Sequence, residues 1–110
     1  MFTVLRGAKF RPMDAQVCLL QQTVGSILRL EPEPTNKYDP NAIKVIATDP
    51  EGTEHFVGYI AKEDCEDVLA MLAGGTPVIA RIAMENGNAP SIEVEYDFSS
   101  DESPVEDFED

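Results

Sequence analysis

The chain is short of the side chains on which most enzymes and metal centres are built. It has one histidine, His55, and two cysteines, Cys18 and Cys65, which stand far apart with no C-x-x-C pair. Zinc needs three or four converging His or Cys ligands, and these residues do not supply them. In a chain read as cytoplasmic, the two thiols are expected to be buried side chains and not a disulfide. His55 sits in a strand beside a turn and reads as a rim residue. No G-x-S-x-G elbow, phosphate loop, dinucleotide fingerprint or D-x-D-x-D-G cation loop occurs. The expectation is a non-enzyme with no catalytic residue, no metal and no cofactor. Long apolar runs are also missing. Nothing approaches the ~18 to 20 residues of a spanning helix, and Met1–Arg6 reads as a strand, not as a secretion signal. With 110 residues, one soluble domain away from membranes is expected.

Positive charge is the other scarcity. Eight basic residues face 21 acidic ones, a formal charge of −13. The imbalance is local. Residues 93–110 carry nine acids and no base, which leaves the first 92 residues at only −4. A polyanion would be met by a few placed cations and not by a general basic field. Beyond Tyr96 the composition turns to Ser, Pro and acids, with Phe98, Val105 and Phe108 as the bulky apolar groups. Such a segment buries too little apolar surface to offset its ordering entropy. A folded domain over residues 1–98 and a disordered acidic tail over 99–110 are therefore expected.

The body reads mainly as strand. Phe2–Phe10 is a first apolar run, with Gly7 marking a bulge or a close backbone approach. Ala15–Leu20 is too short for periodicity to decide between strand and helical turn. Ser26–Glu31 is a further strand, closed by Pro32 and Pro34. Ala42–Ala47 and His55–Ile60 form a hairpin around Asp49-Pro50-Glu51-Gly52. From Lys62 to Ala73 the period changes, and Cys65, Val68, Leu69 and Leu72 follow i, i+3, i+4, i+7, the stripe of a helix. Gly74-Gly75 ends it. Pro77–Met84 and Ser91–Tyr96 are strands joined at Asn86-Gly87-Asn88. The pattern predicts a mainly β fold: a small OB-like or SH3-like barrel of five to six strands with one inserted α-helix.

One segment does not reduce to packing. Residues 31–45, Glu-Pro-Glu-Pro-Thr-Asn-Lys-Tyr-Asp-Pro-Asn-Ala-Ile-Lys-Val, set Asn36, Tyr38, Asp39 and Asn41 on a Pro-bounded loop ahead of a core strand. Asn and Asp side chains can saturate loop backbone groups, so a local structural role stands beside a binding one. Asn36-x-Tyr38-Asp39-x-Asn41-Ala42-Ile43-x-Val45, followed by Val57-Gly58-Tyr59-Ile60 and the helix, resembles the HIRAN domain. Upstream, Gly7-Ala8-Lys9-Phe10 is similar to that family's first strand and aromatic. The resemblance spans roughly residues 2–73 by its motifs.

HIRAN domains occur fused to a fork-remodelling ATPase and as small standalone bacterial and phage proteins. The resemblance implies an OB-like barrel that captures the 3′-hydroxyl end of single-stranded DNA in eukaryotic members. It further implies that Phe10 and Tyr38 hold the terminal base by stacking, worth ~1 to 3 kcal/mol per base. Asp39 would accept a hydrogen bond from the 3′-hydroxyl, and an internal phosphate at that point would meet its negative charge. Asn36 would bond the terminal nucleotide while Asn41 holds the loop. Lys9 and Lys62 would approach phosphates, and Tyr59 falls at a variable position. The eukaryotic domain has Arg and Tyr where Lys9 and Phe10 are read.

Two functions compete at this point. One is a module for single-stranded DNA 3′ ends, serving repair, replication or recombination machinery. The other is an acidic, phage-type interaction protein that mimics nucleic acid and blocks a host protein. The tail reads first as a solubilising segment; it could instead cover the DNA groove, or dock on a repair, replication or host-defence protein.

Overall fold

In the computed structural model, residues 1–98 are described. Six strands close a barrel: β1 (Phe2–Arg6), β2 (Ile27–Pro32), β3 (Ile43–Thr48), β4 (Glu54–Ile60), β5 (Val78–Met84) and β6 (Ser91–Tyr96), in the order β1-β4-β3-β2-β5-β6. Every pairing is antiparallel. Period-two alternation sends Leu5, Leu28, Val45, Val57, Ile82, Ile92 and Val94 into one core and leaves the alternate positions outside. The barrel expectation holds, with six strands. The tail expected from residue 99 lies outside the described residues.

Among the described residues two α-helices accompany the strands instead of one. α2 (Cys65–Ala73) is the helix that the stripe predicts; it is entered through a 3-10 turn at Lys62–Asp64, and Cys65 and Val68 are its buried residues. α1 (Met13–Leu20) is the additional one. It buries Ala15, Cys18 and Leu19, while Met13, Val17 and Leu20 stay exposed. Apolar residues on both faces erase the period, so the segment could not be assigned from its pattern. Both cysteines are buried and unpaired.

The first strand is also shorter than its apolar run. β1 ends at Arg6, and Gly7, at φ 79°, opens a 3-10 turn over Ala8–Phe10. Lys9 and Phe10 therefore stand on a turn and not on a strand. The register shifts lie elsewhere, between Val45 and Ile46 facing β4 and between Ile82 and Met84 facing β6. The close approach belongs to Gly58. A Cβ there would lie 2.7 Å from the Arg6 carbonyl oxygen and 2.9 Å from Leu5 Cδ1. Only a bare backbone at 58 lets the end of β1 settle against β4. The β3–β4 turn is tied by His55 Nε2 at 2.8 Å from Asp49 Oδ2. That contact, helped by the Thr53 and Glu51 amides, holds the Asp49 carboxyl below its ordinary range.

Candidate nucleic-acid interface

The loop between β2 and β3 is built by its own side chains. Asn36 Oδ1 accepts the backbone N–H groups of Tyr38 (2.8 Å) and Asp39 (2.9 Å). Asp39 Oδ1 accepts the N–H of Asn41 at 2.9 Å. Backbone bonds Glu33 N to Ala42 O (2.8 Å) and Ala42 N to Asp39 O (3.0 Å) close the base of the loop. These are local Asx-type turns, which explains why the segment alternates Asn and Asp around prolines. The consequence for Tyr38 is exposure: its side chain projects from a fixed backbone and is 88% accessible. Asp39 Oδ2 makes no protein hydrogen bond among the described residues, so one carboxylate oxygen is available to a ligand.

The sheet supplies the opposite wall. Arg6 pairs with Tyr59, and Tyr59 with Lys44, so these three stand in one row across β1, β4 and β3. The register shift beside Gly58 brings Phe56 and Tyr59 onto the same outer face although they are three residues apart, and their rings meet edge to face at 5.1 Å. Bulges re-aim side chains in this way. Behind the row, Tyr59 donates its hydroxyl to Glu33 Oε1 at 2.8 Å, and Lys44 Nζ lies 3.5 Å from Glu33 Oε2. Hydrogen bonds from Asn36 and Tyr59 hold the Glu33 carboxyl below its ordinary range, while burial and Glu33 raise the Tyr59 phenol.

Loop and sheet enclose a concavity of about 580 Å³ lined by Arg6, Asn36, Tyr38, Asp39, Tyr59 and Lys62, among others, with Cys65, Ala42 and Ile60 as apolar neighbours. Small-molecule sites occupy roughly 300–1,000 Å³. Five of the seven residues singled out in the sequence meet here: Asn36, Tyr38, Asp39, Tyr59 and Lys62. Lys9 and Phe10 do not line it. Phe10 is 77% accessible, with Lys9 Nζ 5.3 Å from its ring centroid. Lys9 lines a neighbouring shallow concavity that shares Arg6 with the first.

Arg6 is the cation that sequence reasoning missed. Its outward position on β1 was legible by alternation, but its pairing with Tyr59 depends on the β1–β4 contact, which no local pattern encodes. Glu33 was missed too, because its partners lie 3, 11 and 26 residues away. Asn41 helps to hold the loop, as expected, and Asn36 lines the concavity while also bracing the loop. The Asn36 oxygen accepts from the loop backbone and its NH₂ faces Glu33 and the Tyr59 hydroxyl, and Asn41 contributes its backbone N–H to Asp39.

The HIRAN domain profile matches residues 11–101 of the 110. The chain belongs to the HIRAN family. The match runs through β5 and β6, well past residue 73 where the legible motifs stop, and it begins after Gly7–Phe10. Comparison with curated proteins finds no match. Two solved structures share the HIRAN fold seen here. A protein from Lactobacillus plantarum is 20% identical, with a TM-score of 0.70 over 86% of this chain and 89% of that one. The HIRAN domain of human HLTF is 17% identical, with a TM-score of 0.64 over 87% of this chain and 73% of that one.

The electrostatics of this HIRAN concavity are balanced. Arg6 and Lys62 face Asp39 and Glu63, and Arg6 lies 3.5 Å from Glu63 with both side chains more than half exposed. Exposed pairs of this kind exchange partners readily in water. The concavity is therefore neither a basic field nor an acidic one. Among the described residues no cluster of His, Cys, Asp and Glu fits a metal ion, and no helix is long and apolar enough to cross a membrane.

Proposed function

We propose that this HIRAN domain binds the 3′-hydroxyl end of single-stranded DNA in the concavity beside the β2–β3 loop, as a recognition module for repair or replication machinery. HIRAN domains are DNA-binding modules, and the reading extends that family property to particular residues. Tyr38 stacks on the terminal base, since any base offers a π face. Asp39 Oδ2 accepts the hydrogen bond of the 3′-hydroxyl. A 3′-phosphate or a continuing strand brings negative charge to the same oxygen and is rejected. Arg6 exchanges Glu63 for the last phosphate, Lys62 approaches from the α2 side, and the Tyr59 ring forms the far wall. Lys9 and Phe10 contact nucleotides further from the end.

The observation that carries this reading is the pairing, on one rigid loop, of an exposed ring with a half-unsatisfied carboxylate at the mouth of a nucleotide-sized concavity. Fluorescence anisotropy with one labelled strand ending in 3′-hydroxyl or 3′-phosphate tests it. The expected result is tighter binding of the hydroxyl strand, with the difference abolished by Asp39→Ala. Equal affinity for both ends removes the end-recognition claim. No binding at low salt, together with a stable complex with a basic nucleic-acid enzyme, favours a nucleic-acid mimic instead.

A further inference from the structure

Glu33 does not itself line the concavity, yet three of the elements that shape it converge on this one carboxylate. Oε1 accepts Asn36 Nδ2 at 2.9 Å and the Tyr59 hydroxyl at 2.8 Å, and Oε2 faces Lys44 Nζ at 3.5 Å. A carboxylate only accepts, and it has lone pairs for all three. Asn36 has two chemically opposite ends. With its NH₂ directed at Glu33, its oxygen is directed at the N–H groups of Tyr38 and Asp39. The reversed amide would set an NH₂ against those two N–H donors and leave Glu33 facing an oxygen. Glu33 therefore fixes which way the Asn36 amide points, and through it the backbone of the two residues that carry the ring and the carboxylate. The same oxygen uses up the Tyr59 hydroxyl proton, so Tyr59 presents its ring to the concavity.

We infer that Glu33 is the positioning residue of the end-reading loop: it holds the amide orientation of Asn36 that aims Tyr38 and Asp39 into one site. The inference rests on the proposed function for its consequence in DNA binding, but its structural part is independent of DNA. Glu33→Ala removes the strongest acceptor of the Asn36 NH₂, leaving the two N–H donors and the 3.4 Å contact to the Tyr59 hydroxyl to orient the amide, so the loop is held less firmly while the barrel core is untouched. Glu33→Gln can still turn an oxygen toward Asn36 and Tyr59, although its NH₂ then faces Lys44, so it rescues in part.

Two readouts test this on the full chain. In amide hydrogen exchange, the Tyr38 and Asp39 N–H groups are expected to exchange about tenfold faster in Glu33→Ala, the order of one lost hydrogen bond, with core amides such as Val94 unchanged. Glu33→Gln should lie between. In anisotropy, the ratio of 3′-hydroxyl to 3′-phosphate affinity should fall toward one in Glu33→Ala. It should persist in Val94→Ala, which weakens the core and spares the loop. Unchanged exchange at Tyr38 and Asp39 in a folded Glu33→Ala overturns the inference. If exchange rises while the wild-type protein shows no end preference, Glu33 orders the loop and the functional reading alone fails.

Discussion

The β2–β3 loop and the Gly7–Arg11 turn lie on either side of Arg6, and both display an aromatic ring and a charge. They are braced differently, the loop by its own side chains and the turn by a helix beside it. The loop spends Asn36, Glu33 and one oxygen of Asp39 on fixing its own backbone, and so holds Tyr38 and Asp39 out at defined positions. The turn at Ala8–Phe10 has no side-chain cap of its own and is tied from outside, by Gln16 Nε2 on the carbonyls of Arg11 (2.7 Å) and Lys9 (3.4 Å), while the Lys9 ammonium lies by the neighbouring Phe10 ring. Ordering side chains costs entropy. Both backbones have met part of that cost in advance, but Tyr38 lines the concavity beside Asp39, whereas Phe10 lines neither that concavity nor the one beside Lys9. Equal exposure thus does not mean equal value as a binding group.

The largest effect is expected from removing the loop's ring. Tyr38→Ala should weaken single-strand binding by about 1 to 3 kcal/mol, whereas Phe10→Ala should cost less than about 1 kcal/mol, both read by anisotropy. A Phe10 effect equal to that of Tyr38 would erase the distinction between the two regions. Gly58→Ala sharpens it from beneath. Its Cβ would meet the Arg6 carbonyl oxygen at 2.7 Å, so β1 must shift. Thermal or denaturant unfolding should register a loss of about 1 to 3 kcal/mol. The shift also moves Arg6, which both concavities share.

A smaller effect concerns salt. Arg6 and Lys62 are the cations of the concavity, and single strands give a slope of about −0.7 in log K against log salt per phosphate neutralised. Two contacts predict a slope near −1.4, and a slope beyond about −3 would require the Lys9 turn and further cations. The smallest effect is on acid stability. The Glu33 carboxyl is lowered from 4.5 in the folded chain, first by Asn36 and then by Tyr59. Its contribution is complete above 4.5 and is lost as pH falls through the depressed folded value. Melting temperature should therefore fall less steeply below that pH in Glu33→Gln than in the wild-type protein.

Much of this was legible before any coordinates. The hairpin of β3 and β4 and the stripe of α2 follow from alternation and from i, i+3, i+4 spacing, which are local. The loop residues were visible as an unusual cluster of Asn, Tyr and Asp between prolines. What stayed hidden depends on distant partners. The sequence distinguishes an Asn that binds from an Asn that braces only if its partners are known, and Asn36 finds two N–H donors two and three residues ahead and an acceptor, Glu33, three behind. Arg6 enters the site through its pairing with Tyr59, more than fifty positions later. Lys9 and Phe10 looked like strand residues because the apolar run continues past Gly7, where the backbone in fact turns. α1 was ambiguous because one face is packed and the other carries Met13, Val17 and Leu20 in the open.

The central claim is a location, and NMR titration of the labelled protein with a short unlabelled oligodeoxynucleotide ending in 3′-hydroxyl tests it most directly. Amide shifts should concentrate at Tyr38, Asp39, Arg6, Tyr59 and Lys62, with smaller ones at Lys9 and Phe10 and none along α1. Shifts centred on α1, or on the β2–β5 side of the barrel while the Tyr38–Asp39 amides stay still, would contradict the account.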